Sequence, residues 1–444
     1  MRSSTAMNRY NTISMTERIS PARGLRGFVQ VPGDKSISHR YAMLTSIAEG
    51  DSHIYNYSTG ADCQSTLSCM ERLGIAHEFT EDDGRRVLTV HGKGLHGLRE
   101  PAQEMDAGNS GSTIRMLSGI LAAQPFTSRI GGDESLSKRP MKRIMTPLAE
   151  MGGRIEAVDG QFPPLAIHPS RLHGIAYEPP VASAQVKSCV LLAGLYAEGE
   201  TEVREPVRTR DHTEIALREL GAEMVIEPRL ARVRGGVPLA AKDLVVPGDI
   251  SSAAFFIVAA LMVRDAELTI ANVGLNPTRT ALLDVLRGMG ARIKLLQIEQ
   301  VNGELIGTLE VRSSRMRGGT VEGATTAAVI DEIPVLAVLG AASEEGLTVR
   351  NAGELRVKET DRIETIAQNL RAMGVEVHTT RDSIEVPGKQ RFHAAELDSH
   401  GDHRIAMAFC VAALAADGEC SMRDAGAASV SFPEFYSTLA RIAQ

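Results

Sequence analysis

The chain has 444 residues, a formal net charge of -7, 4% aromatic residues and no tryptophan, which argues against a nucleic-acid surface made of a basic face and stacking aromatics. A hydrophobic share of 43% with 41 glycines and 19 prolines is ordinary globular composition, long enough for two full domains and unlike a disordered chain. No apolar run reaches the ~20 residues of a membrane span, and five cysteines without a CxxC pair point to reduced thiols, with no disulfide framework and no zinc site.

Residues 1–20 are rich in Ser and Thr, carry Arg2, Arg9 and Arg18, lack a secretory apolar core and are expected to be a frayed extension. Beyond them a helix-like stretch ends five times in an aliphatic residue followed by glycine, then a β-rich run: Leu73-Gly74, Met151-Gly152, Leu220-Gly221, Met289-Gly290 and Met373-Gly374. Four residues before each glycine stands Met70, Leu148, Leu217, Leu286 or Leu370, so one helix face is apolar and the glycine is the expected left-handed cap. The spacing of about 70 to 85 residues is too long for a solenoid. It predicts one α/β unit used five or six times, the last degenerate around 435–442.

Val31-Pro-Gly-Asp34 and Val246-Pro-Gly-Asp249 repeat one pattern, a strand end, a Pro-Gly turn, an Asp cap and an apolar helix. They predict one domain over 34–247 and a second made of 21–33 with 248–444. The chain then crosses between domains near 31–34 and 246–249, a natural hinge beside a ligand cleft.

Several Gly/Ser-rich segments place cations and hydroxyls at the start of apolar helices, where free N–H groups and the helix dipole favour anions. They are Lys35-Ser36-Ile37-Ser38-His39-Arg40, Asn109-Ser110-Gly111-Ser112-Thr113-Ile114-Arg115, Lys138-Arg139-Pro140, Ser183-Ala184-Gln185-Val186-Lys187 and Arg208-Thr209-Arg210-Asp211-His212. Each alone fits a polar helix cap equally well, but several in one domain fit a site for small anions better. No Walker loop occurs. In the second half Asp331-Glu332 interrupts an apolar run before Pro334, where burial is expected to raise a carboxylate pKa and suit a general base. Arg356 to Arg362 alternates charges at a helix start, and Asp402-His403-Arg404 opens a further apolar helix.

Taken in order, VPGDKSISHR, GNSGSTIR, GDESLSKRP, SAQVKS, TRDHTE, VPGDISSAA, IDEIP, LRVKETDR, DHRIAMAF and SFPEF resemble the 5-enolpyruvylshikimate-3-phosphate synthase family of enolpyruvyl transferases from about Gly24 to Tyr436. The resemblance implies a two-domain inside-out α/β barrel, each domain three βαβαββ repeats. It implies transfer of the enolpyruvyl group of phosphoenolpyruvate to the 5-hydroxyl of shikimate 3-phosphate, with no metal or other cofactor. Lys35, Ser36, Arg40, Ser183, Ala184, Gln185, Arg210, Asp331 and Lys358 match the shikimate 3-phosphate site. Lys35, Asn109, Gly111, Arg139, Gln185, Arg362 and Arg404 match the phosphoenolpyruvate side. Asp331, Lys35 and Glu359 match the catalytic positions: Asp331 as base, Lys35 as proton shuttle, Glu359 as the candidate for protonating C3.

One position departs from the family pattern: Val430 stands where many members carry a lysine on the phosphoenolpyruvate side. Gly111 matches a position beside the pocket where the phosphonate glyphosate competes with phosphoenolpyruvate, and glycine there implies sensitivity. A related transfer to a UDP-amino sugar uses a loop cysteine, and residues 132–140 contain none. A non-catalytic anion-binding scaffold gains nothing from Asp331 and Glu359. The expected protein is a cytoplasmic monomer acting on small molecules, without nucleic acid or membrane partners.

Overall fold

The computed structural model describes residues 15–82 and 85–444 of the chain. Six sheets form among the described residues, three in each half. One plan recurs, seen clearly in the second sheet along the chain. Met105–Asp106 runs parallel to Ser128–Gly131, Ser128–Gly131 pairs antiparallel with Phe162–His168, and Arg154–Val158 closes the hairpin. With a helix after each of the first two strands, this is a βαβαββ unit.

Two units borrow their first strand across the chain. Leu244–Val245 lies parallel to Ala48–Tyr55, and Arg26–Gln30 lies parallel to Glu267–Gly274. The last unit lacks its hairpin, and Glu17–Ile19 pairs antiparallel with Cys420–Met422 in its place. Fraying therefore does not extend to residues 17–19, while 1–14 lie outside the described residues. Three backbone pairs and a buried Ile19 hold this strand.

The five cap glycines have φ of +89° at Gly74, +96° at Gly152, +93° at Gly221, +97° at Gly290 and +76° at Gly374. In every case the residue after the glycine donates its N–H to the apolar residue four before it, as Ile75 does to Met70 (3.0 Å) and Val375 to Leu370 (2.9 Å). This double-turn closure satisfies carbonyls that the helix end leaves free.

Buried apolar side chains fall into two clusters, one drawn from Ile37 to Val246, the other from Ile19 to Val31 with Ile250 to Ile442. Each surrounds three helices that are buried on nearly every side, Lys35–Ser46, Gly111–Leu121 and Ala184–Gly194 in one and Ile250–Met262, Ile333–Ala342 and His403–Leu414 in the other. Full burial of one Leu, Ile or Phe contributes about 1.5–3 kcal/mol, so these helices anchor the fold. Their polar first turns remain at the ends.

The two Val-Pro-Gly-Asp turns lie against each other. Asp34 N–H donates to Pro247 O (2.7 Å) and Asp249 N–H to Pro32 O (2.9 Å). A side chain at Gly33 would put Cβ 1.9 Å from Asn56 O, which is why glycine stands at the crossing.

Candidate functional site

The inner helices start at the cleft, and local chemistry fixes each start. Asp34, Ser110, Ser183, Asp249 and Asp402 cap five of the six by accepting backbone N–H bonds, and Pro334 stands in the first turn of the sixth, Ile333–Ala342. The bodies of these helices are buried, and polar residues in or beside their first turns make many of the contacts that follow.

Asp331 is the centre of the site. Its Oδ2 accepts from Arg210 Nη2 at 2.7 Å, an ion pair between the two halves. Lys358 Nζ lies 3.7 Å and Arg362 Nη1 3.6 Å from Oδ1, and Arg404 Nη1 donates to the Asp331 carbonyl at 3.0 Å. Burial pushes the Asp331 pKa up, but Lys358, Arg404, Arg210 and Arg362 outweigh it and hold the carboxyl well below its ordinary range. The sequence-based expectation of a raised pKa is thus corrected. The neighbours of Asp331 are cations rather than hydrocarbon alone, and the cations come from segments remote in sequence.

Glu359 is similar. Its Oε2 accepts from Arg362 Nη2 at 2.6 Å, and Arg139 Nη1 of the other half lies 3.9 Å from Oε1. Burial raises its pKa, while Arg362, His403, Arg139 and Lys35 lower it to a position well below the carboxylate norm. Arg362 is itself almost fully buried and held by Asp402, with Nε at 2.8 Å from Oδ2.

Lys35 Nζ meets Asp62 Oδ2 at 2.8 Å. Burial lowers the lysine pKa, yet Asp62 and Glu359 outweigh it and raise it, so Lys35 is an ammonium at neutral pH. Arg40 donates to Thr213 Oγ1 (2.6 Å), Ser36 O (2.7 Å) and Ser188 Oγ (2.8 Å). These bonds tie three segments together, and burial draws the Arg40 pKa down to about 10.

On the Gly/Ser loop, Asn109 Oδ1 accepts from Arg139 Nη2 at 2.8 Å, and Asn109 Nδ2 donates to Asp133 Oδ2 at 2.7 Å. Gln185 joins two helices, accepting from Arg115 Nη1 (2.6 Å) and donating to Ser112 Oγ (2.9 Å). Ser183 caps its own helix through Val186 N (3.4 Å), and the Ala184 carbonyl accepts from Ser188 Oγ (2.7 Å). Gly111 opens its helix below the guanidiniums of Arg115 and Arg139.

Of the residues expected from the sequence, Arg210, Lys358, Arg362, Arg404, Arg139 and Asn109 are linked to Asp331 and Glu359 by these contacts, Lys35 is paired with Asp62, and Arg40, Ser36 and Gln185 are held by other partners. Ser183 and Ala184 touch their own helix rather than that centre. Val430 has its carbonyl against Gly60 and adds no charge. Asp62 and Arg115 were given no role by sequence reasoning. Asp62 sits 27 residues from Lys35, with no local pattern to mark it. Arg115 was visible in GNSGSTIR, at i+4 from Gly111. Among the named side chains cations outnumber carboxylates, so the cleft attracts anions and can stabilise a departing one.

Comparison with known proteins agrees. A sequence model of the family EPSP synthase (3-phosphoshikimate 1-carboxyvinyltransferase) matches residues 19–439. A 3-phosphoshikimate 1-carboxyvinyltransferase of Solibacter usitatus is 65% identical over 97% of this chain and 100% of its own length. One of Koribacter versatilis is 53% identical over 96% and 99%. The solved EPSP synthase of Acinetobacter baumannii superposes with a TM-score of 0.85 at 40% identity, covering 96% of this chain and 98% of that one. The enolpyruvyl transferase NikO of Streptomyces tendae, at 18% identity and a TM-score of 0.80, shares the fold. A match over nearly the whole described chain, joined to an anion-attracting cleft, makes this chain a member of the EPSP synthase family.

Proposed function

We propose the following division of labour for the family's reaction, in which the enolpyruvyl group of phosphoenolpyruvate is transferred to the 5-hydroxyl of shikimate 3-phosphate and phosphate is released. The observation that carries it is the position of Asp331, ion-paired to Arg210 of the other half within a ring of cations from its own. Arg210, Lys358, Arg40, Ser36 and the Ser183-Ala184-Gln185 turn hold shikimate 3-phosphate. Arg139, Arg362, Arg404, Asn109, Gly111 and Gln185 hold phosphoenolpyruvate, with Lys35 between the two substrates.

The 5-hydroxyl oxygen adds to C2 of the enol, its proton passes to Asp331, and a proton is added at C3. The tetrahedral adduct then loses a C3 proton and phosphate, restoring the double bond. A carboxylate beside four cations is a weak base. When the substrates bring their phosphates and carboxylates to the same cations, the charges that depress Asp331 are screened and its basicity rises. The same argument applies to Glu359. Lys35 carries a proton at neutral pH and supplies it toward C3, while Glu359 relays it. Holding both reactants in line from two halves removes the entropy cost of a bimolecular encounter.

The two apolar cores support domains at 34–247 and 21–33 with 248–444. Five buried free cysteines fit a reducing compartment, the cytoplasm. Among the described residues no helix is long and apolar enough to cross a membrane.

The test is a phosphate-release assay with both substrates, with product identified by mass. Phosphate appearing only when both are present, in equal amount to the enolpyruvyl ether, supports the reading. Turnover with a UDP-amino sugar in place of shikimate 3-phosphate, or none with either, overturns it.

A further inference from the structure

We propose that Thr66 is a positioning residue for the Asn109–Gly111 loop, the middle of a buried hydroxyl chain that ties this loop to the helix bearing Lys35. The proposal rests on the reading above that this loop faces phosphoenolpyruvate. His39 Nδ1 lies 2.7 Å from Thr66 Oγ1, and Thr66 Oγ1 lies 2.7 Å from Thr113 Oγ1. Thr113 Oγ1 then donates to Ser110 Oγ at 2.8 Å. His39, Thr66, Thr113 and Ser110 are all fully buried.

Proton positions follow along the chain. Thr113 gives its hydroxyl proton to Ser110, so its oxygen accepts from Thr66. Thr66 in turn accepts from the Nδ1–H of a neutral His39. Burial keeps that ring neutral, with its pKa drawn down to about 3. Every link has one donor and one acceptor, so removing one hydroxyl strands two buried partners.

The far end of the chain is a working part of the site. Ser110 Oγ also accepts from Thr113 N (3.1 Å), capping the helix that Gly111 opens. The adjacent Asn109 orients Arg139. The near end is equally placed. Thr66 stands one turn after Asp62 on the helix Ala61–Arg72, and Asp62 holds Lys35 Nζ. One helix thus fixes the lysine with one side chain and the loop with another. Arg40 and Ser183 are held by other partners, while Gln185, assigned to both substrates, bonds Ser112 and Arg115 of the helix that Ser110 caps, so the chain bears more on phosphoenolpyruvate than on shikimate 3-phosphate.

The experiment is steady-state kinetics on Thr66→Val, Thr66→Ser, Thr113→Val and the double variant Thr66→Val/Thr113→Val, with unfolding temperatures measured in parallel. Thr66→Val is expected to raise KM for phosphoenolpyruvate about threefold to tenfold, the scale of one lost hydrogen bond, and KM for shikimate 3-phosphate by a clearly smaller factor. Thr66→Ser keeps the hydroxyl and restores the parent value. The two valine substitutions act through one chain, so the double variant is no worse than the single ones. Both KM values moving by the same factor, failure of serine to restore binding, or additive effects would overturn the proposal. If Thr66→Val does not fold, Thr113→Val against Thr66→Ser decides the question alone. Asn109→Ala separates the premise from the proposal. If it leaves KM for phosphoenolpyruvate unchanged, the assignment of the loop fails and the proposal falls with it. If it raises that KM while Thr66→Val does not, the proposal fails alone.

Discussion

Arg210 and Asp331 form an ion pair of 2.7 Å between the two halves of the molecule. Arg210 lies in the loop before the helix His212–Glu219, and Asp331 lies just before the helix Ile333–Ala342. Asp331→Ala removes the proposed base and leaves Arg210, Lys358, Arg362 and Arg404 without their shared counter-charge. It is expected to lower kcat by at least about 100-fold, the usual scale for a positioned acid–base group. Lys35→Ala is expected to cost a similar factor by removing a cation between the substrates. Phosphate-release kinetics on folded variants check both, and near-parental activity of either variant removes that residue from the mechanism.

Shikimate 3-phosphate is expected to raise the unfolding temperature by bridging the halves, since a ligand at 100 times its Kd adds about 2.7 kcal/mol of stability. Arg210→Ala should lose most of that shift, because Arg210 lies in one half and Asp331 and Lys358 in the other. Calorimetry with and without ligand measures it. An equal shift in the variant would place the phosphate elsewhere.

Two buried histidines make the fold sensitive to acid. Burial draws His39 and His403 down to about 3 from an ordinary value of 6.5. Both are neutral in the folded chain down to that pH, whereas in the unfolded chain they take up protons below about 6.5. A depressed native pKa means stability is complete above 6.5 and is lost as pH falls toward 3. Each histidine contributes a slope of up to about 1.4 kcal/mol per pH unit within that window. Denaturant unfolding at pH 7, 6 and 5 tests this, and His39→Gln should flatten the slope by about one proton.

The helix caps allow a contrast between two glycines. Gly221 has a φ of +93° and nothing within 4 Å of an added Cβ, so Gly221→Ala is pure backbone strain. It is expected to cost about 1 kcal/mol. Gly288 closes the helix Ala281–Gly288 with ordinary φ and equal space around it. Gly288→Ala should stabilise by about 0.4–1 kcal/mol through the unfolded chain. The same sign for both in denaturant titrations would count against the cap assignment.

Much of this architecture was legible because it is local. The five cap glycines and the Val-Pro-Gly-Asp turns depend on residues within one or two turns of each other, and so do the capping serines and aspartates. The strand Glu17–Ile19 was missed since its partner lies some 400 residues away. The pKa of Asp331 was misjudged for the same reason, its cations arriving from Arg210, Lys358 and Arg404. Thr66 and Asp62 lie on a helix whose pattern shows only burial, so their polar contacts have no sequence mark.

Glyphosate provides the most discriminating test of the loop. An added methyl at Gly111 would come 3.0 Å from Arg115 Nη1 and 3.6 Å from Arg139 Nη1. The first distance is tight, so the Arg115 head must shift, and the methyl projects into the space under both guanidiniums. Glyphosate is slightly longer than phosphoenolpyruvate and competes with it in this family, so it needs that space more. The parent enzyme is therefore expected to be inhibited, although Val430 supplies no charge on the same side. Gly111→Ala should raise the inhibition constant by a much larger factor than it raises KM for phosphoenolpyruvate. Part of the KM cost will come through Gln185, which shares Arg115 Nη1 at 2.6 Å. Competition kinetics with both proteins measure the two factors. Equal losses for the two ligands, or a parent enzyme indifferent to millimolar glyphosate, would show that Gly111 does not line the phosphoenolpyruvate pocket.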